Sequence, residues 1–170
     1  MITRGQGDLE DQMLDPRLDS EALLLAALLW TRQGVEAREI VEKLCRDDFF
    51  NVSYGAVFEA IAELISENRT HDGAAVRSHL LTQGSSGDLP PSAINSVMLM
   101  LTTLDHVPEQ AGEYARQVAG AAYRRQFADM AERLRMIAET AAQDQLFELL
   151  VDEGRKQRQA WRRIQENFAA

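Results

Sequence analysis

The sequence is poor in the residues that build covalent or metal frameworks. Cys45 is its one cysteine, so an intrachain disulfide is impossible, and zinc sites of four cysteines or of two cysteines and two histidines are excluded. Only 4 prolines and 10 glycines interrupt 170 residues. Long hydrophobic runs are missing too: the longest, Ala22 to Trp30, is about half of what a bilayer span requires. Residues 1–18 are polar and acidic without an apolar stretch, which fits a flexible tail rather than a signal peptide or anchor. These absences lead to the expectation of a cytoplasmic protein with no membrane contact.

Basic charge is also scarce. Residues 1–112 hold 8 Lys+Arg against 18 Asp+Glu, and residues 113–170 hold 10 against 9, for a total of −9. An acidic chain repels the phosphate backbone, so DNA is expected to bind only weakly, or through an assembly that concentrates local arginine pairs. What is abundant is Ala, Leu, Glu, Gln and Arg, side chains that lose little rotamer freedom in a helix.

The apolar spacing predicts helices throughout and no strand. Asp19 or Ser20 caps a first helix to about Arg32, apolar on every face and therefore central to its bundle. A second runs from about Glu36 to Leu44, followed by a turn carrying Phe49 and Phe50. Ser53 caps a third helix to about Glu67, Asp72 a fourth that stops near Gly84, and Ser92 a fifth beyond the loop GSSGDLPP. From about Glu109 to Ala142 the pattern becomes a heptad seam of Tyr123, Phe127, Met130, Leu134, Ile137 and Ala141. Asp144 caps a return helix to about Phe168, with a seam of Phe147, Leu150, Gly154, Gln157, Trp161, Ile164 and Phe168. Gly154 and Gln157 dilute that seam and are expected to bend or fray the helix.

The fold class is therefore all-α: a small globular helical bundle over 19–107, then a long antiparallel helical hairpin over 108–168 used for dimerisation. Two helices of ~35–50 Å are too long for the globule to cover. An apolar seam left in water is an association surface. Its expected residues are Tyr123, Phe127, Met130, Leu134, Ile137, Phe147, Leu150, Trp161 and Ile164, with Trp161 as an anchor.

Catalytic constellations are wanting. His71, His79 and His106 read as surface histidines, and Glu59, Glu63 and Glu67 as a solvated acidic face without the Glu-x-x-His pairs of a di-iron bundle. Ser85 and Ser86 lie in a connector without the lysine of a phosphate loop. Cys45 beside Arg46 reads as a buried small hydrophobe, and Phe49, Phe50, Tyr54 and Phe58 as core more than as a partner pocket. Arg124, Arg125, Arg162 and Arg163 read as exposed pairs with nearby acids, or as contacts to DNA phosphates or an acidic partner. No catalytic, cofactor or metal residue is assigned.

Four segments, in order, resemble the N-terminal domain of the DnaB-type replicative DNA helicase. DSEALLLAALLW (19–30) is similar to its opening helix. VEKLCRDDFFNVSYGAVFEAIAEL (41–64) carries its acid-Phe-aromatic turn at Asp48, Phe49 and Phe50, with Val57, Phe58, Ala60 and Ile61 following. HDGAAVRSHLLTQG (71–84) and EYARQVAGAAYRRQF (113–127) are similar to its Asp-led helix and to the segment opening its hairpin. The likeness covers about 19–142. It departs between Gly84 and Pro108, where GSSGDLPP and LTTLDHVP replace the family's Gly-Gly segment and Asn-Thr-Pro turn. No G-x-x-x-x-G-K-[ST] motif occurs, so the ATPase domain is absent from these residues.

The resemblance implies a non-catalytic collar domain of a replicative helicase. Its hairpins pair two subunits, three pairs build a collar on the ring, and the collar meets a primase or helicase loader. The expected partners are a second copy of the chain, in a homodimer or trimer of dimers, and that primase or loader. A stand-alone adaptor or regulator of a helicase on the same fold is the alternative.

Overall fold

A computed structural model describes residues 15, 17–31, 34–83, 89–105 and 107–168. Among these there are seven α-helices and no strand. In order they are α1 (Ser20–Trp30), α2 (Val35–Lys43), α3 (Val52–Ser66), α4 (Gly73–Gln83), α5 (Pro91–Thr103), α6 (Ala111–Thr140) and α7 (Leu146–Phe168). Short 3₁₀ turns at Arg46–Asp48 and Pro108–Gln110 precede α3 and α6.

Helix α1 occupies the centre, as its lack of a polar face requires. Ala22 and Leu24 to Leu29 are buried along it, and α3, α5 and α6 pack around it. Phe58, Ile61 and Leu64 of α3, Val76 of α4, Ile94 and Leu101 of α5, and Val118 of α6 fill the same core. Phe49 lies inside against Phe58, ring centroids 4.8 Å apart, and Tyr54 is buried as well. Phe50 is the exception among the four expected core aromatics, 77% exposed on the surface.

Helix α6 belongs to both parts of the molecule. Ala111, Tyr114, Ala115, Val118, Ala119 and Ala122 are buried against the globule, and the helix then continues to Thr140. At 1.5 Å per residue α6 is ~45 Å long and α7 ~35 Å. The two run antiparallel through a tight turn at 141–145. Helix α7 is continuous through Gly154 and Gln157, so the expected fraying is not seen.

Several helix starts differ from expectation. The Asn51 side chain, not Ser53, accepts from the Ser53 and Tyr54 amides at 2.9 and 3.3 Å and begins α3. Helix α5 begins at Pro91, one residue before Ser92, because a proline's missing N–H costs nothing at a first helical position. Helix α7 begins at Leu146, not directly after Asp144. Asp19 and Asp72 do cap α1 and α4, through the Glu21 and Ala75 amides. The Gly84 stop and most of the GSSGDLPP loop lie outside the described residues, as do the tail to residue 14 and His106.

Gly55 allows the turn at 46–48 to press against α3. A Cβ there would stand 2.9 Å from the Arg46 carbonyl oxygen and 3.1 Å from its Cγ. Gly55→Ala is therefore expected to cost about 1–3 kcal/mol through overpacking against backbone, despite alanine's better helix propensity. Thermal unfolding should show a Tm several degrees lower; an unchanged or raised Tm would mean that the turn yields freely.

Candidate functional site

The hairpin is fixed to the globule at one buried acid. Asp48, on the 3₁₀ turn before the phenylalanine pair, is fully buried. Its Oδ2 accepts from the Cys45 amide at 2.8 Å and from Arg163 Nη1 at 3.1 Å, and its Oδ1 accepts from Arg163 Nη2. The Asp48 carbonyl accepts from Arg125 Nη2 at 2.5 Å. One side chain each from α6 and α7 thus reaches the same residue of the globule.

A second buried acid extends the clasp. Glu21, on the first turn of α1, accepts from the Phe50 amide at 2.7 Å and the Asn51 amide at 3.1 Å, and Arg125 lies 3.7 Å from it. Burial raises the Glu21 carboxyl above its usual range; the two amides and Arg125 oppose that shift. The Arg125 guanidinium also lies over the Phe50 ring, 5.7 Å from its centroid. The Arg163 guanidinium is held more firmly charged than usual, chiefly by its hydrogen bonds to Asp48. Arg125 and Arg163, read from the sequence as exposed pairs with nearby acids or as DNA or partner contacts, are both engaged with distant residues of the globule. Arg124 and Arg162 are exposed.

Beyond the clasp, α7 meets α6 along a line that shares only Gln157 and Ile164 with the seam read from the sequence. Its covered or half-covered positions include Leu146, Leu149, Glu153, Gln157, Ala160 and Ile164, at steps of three and four. The centre of this line is polar. Gln157 Nε2 donates to the Gln126 carbonyl at 3.1 Å, and Arg133 Nε donates to Glu153 at 3.0 Å. Lys156 and Arg133 close over Glu153 and, the Lys156 bond first, hold its carboxyl below its usual range. The cover is two long side chains rather than core.

The turned register leaves apolar side chains outside. Phe147 is 73% exposed, Leu150 50%, Trp161 47%, Phe127 51% and Met136 61%. Tyr123, Met130, Leu134, Ile137 and Ile164 are half-buried. Trp161 also stacks on Tyr123, ring centroids 5.6 Å apart.

Other residues singled out by sequence fall elsewhere. Glu59, Glu63 and Glu67 lie on the surface and pair with Arg46, His79 and Arg69 at 3.1, 2.6 and 2.8 Å. Cys45 is exposed rather than buried, with its sulfur 3.7 Å from Arg163 Nη1. His71 is buried, not a surface residue. Burial lowers its pKa; the Thr31 and Arg69 carbonyls nearby favour the charged form, but neither makes a well-aligned hydrogen bond to it. Sequence reasoning missed the clasp. Its one local trace is Glu21, the lone charge in a helix otherwise too apolar to have a wet face.

The described residues thus form an all-helical globule clasped to an antiparallel hairpin with an apolar outer strip. The chain belongs to the DnaB-like helicase N terminal domain family, which residues 14–120 match. Among solved structures, the crystal structure of the N-terminal domain of DnaB helicase from Mycobacterium tuberculosis has the same fold. The match has a TM-score of 0.67 and 20% sequence identity, covering 82% of this chain and 96% of that one. No curated protein matches the sequence.

Two outcomes test the site. Asp48→Ala should cost about 2–4 kcal/mol, since it strands a partly buried guanidinium and an amide. Arg163 is about a third exposed, so water screens part of the loss. A double-mutant cycle with Arg163→Ala should give a coupling of roughly 1–2 kcal/mol; additive effects would show that the two groups act independently. The second test concerns His71. Its folded pKa lies below the ordinary 6.5, so the unfolded chain takes up the proton first as pH falls. Stability present above about pH 6.5 is then lost on acidification. Glu21 acts oppositely, because its raised pKa favours the folded form as pH falls toward 4.5. The comparison of wild type with His71→Phe isolates the histidine: between about pH 7.5 and about pH 5.5 the variant's Tm should fall less. Parallel curves would refute the assignment.

Proposed function

We propose that this chain is a non-catalytic collar domain of a DnaB-like replicative helicase, pairing subunits through its hairpin. One observation carries the reading: Phe127, Met136, Phe147, Leu150 and Trp161 line the hairpin about half or more exposed to water. Phe and Trp bury large areas and dominate association energetics. A surface this apolar on an otherwise charged hairpin is stable when a second copy covers it. The half-buried Tyr123, Met130, Leu134, Ile137 and Ile164 support the strip from beneath.

The globule and the hairpin divide the work in this reading. The hairpin joins two copies, and the globule, with a sequence that departs from the family pattern between Gly84 and Pro108, meets neighbours and a primase or loader. Arg124 and Arg162 remain available for a partner's acids or for DNA in the assembled ring. Three pairs would complete a collar on a six-membered ring, with ATP hydrolysis left to a separate phosphate-loop domain. Family membership supports this setting.

Light scattering on the isolated chain at micromolar concentration should report dimers or larger species. Phe147→Asp combined with Leu150→Asp should give monomers with unchanged helix content, since both side chains already face solvent within one copy. A wild-type monomer across that range would overturn the reading.

A further inference from the structure

The outer face of α7 has a near-symmetric order. Phe147, Gly154 and Trp161 stand seven residues apart on one heptad position, with Gly154 midway. A Cβ at Gly154 would meet nothing within 4 Å, so no contact within the chain explains a glycine there. Glycine weakens a helix interior, but it also lets a second helix approach closely. The charge order is polarised about the same point. Among the exposed charges of α7, Glu148 and Asp152 precede Gly154; Arg155, Lys156, Arg158 and Arg162 follow it, with Glu166 beyond them near the helix end.

That polarity decides direction. Two parallel copies of α7 would set acid against acid and base against base. Two antiparallel copies set the acidic half of each against the basic half of the other. The next heptad position holds Glu148, Arg155 and Arg162. Glu148 and Arg162 are exposed, and neither makes an ion pair among the described residues. Arg155, nearest the centre, is neutralised by its own Asp152 at 3.0 Å, which limits its repulsion from a second copy.

We propose that α7 crosses α7 of a second copy in antiparallel register about a two-fold axis at Gly154. Phe147 of each copy then packs on Trp161 of the other, and Glu148 pairs with Arg162. The contact is isologous, each copy offering the same patch. It rests on the pairing reading above and adds to it the helix, the direction and the register.

The test uses the full chain with Cys45→Ser, so that only introduced thiols react. Gly154→Cys treated with a short bifunctional maleimide should yield mainly covalent dimer, while Glu67→Cys just after α3 should remain monomer under denaturing conditions. Separately, Glu148→Arg or Arg162→Glu should each raise the dimer dissociation constant about five- to ten-fold, and the double exchange should restore it. Dimers in light scattering without Gly154→Cys cross-linking above the Glu67→Cys control would overturn this register and leave subunit pairing standing. Dimers whose charge exchange fails to rescue would overturn the antiparallel alignment. Monomers throughout would overturn both.

Discussion

Cut off from solvent, the Asp48 carboxylate can stay in the fold only where protein donors replace the water it has lost. The donors come from its own turn, through the Cys45 amide, and from the far end of the chain, through Arg163. Arg125 takes the carbonyl of the same residue and closes on Glu21 beneath the Phe50 turn. Such a network adds little net stability when well made and is costly to break by one partner. Its larger consequence is positional: α1, the 46–48 turn, α6 and α7 must meet at one point, and the hairpin leaves the globule at one angle.

Where the hairpin points follows from that anchor, and what it presents follows from its interior. The α6–α7 contact places Glu153 and Gln157 inside and bonds them to Arg133 and Gln126. With polar groups taking the centre of the inner line, several large apolar side chains are left on the outer one. A wholly greasy inner line would have sealed the hairpin within one molecule. The hairpin here is clasped, internally polar at its centre, and apolar on its outer face.

The globule was legible because its signals are local. Asp19 before an apolar run, Asp72 before Val76 and Leu80, and an all-apolar α1 each specify their element within a few residues. The hairpin was legible as two long helices. Its register was not, because Leu146, Phe147, Leu149, Leu150 and Val151 offer apolar residues to two neighbouring lines at once. Periodicity cannot choose between them; the Glu153 bond to Arg133, made across 20 residues, does. The partners of Arg125 and Arg163 were illegible for a similar reason. Nothing beside Arg163 in the chain announces a partner 115 residues earlier.

The sequence by itself determined the helical class, the order of elements, the central helix and the family, since each is written in spacing and composition over short stretches. The tertiary structure alone decided which arginines turn inward, that His71 is buried and Cys45 is not, and which face of α7 looks out. Those outcomes depend on the burial of charge, and the cost of burying a charge is set by partners that only the folded chain brings within reach.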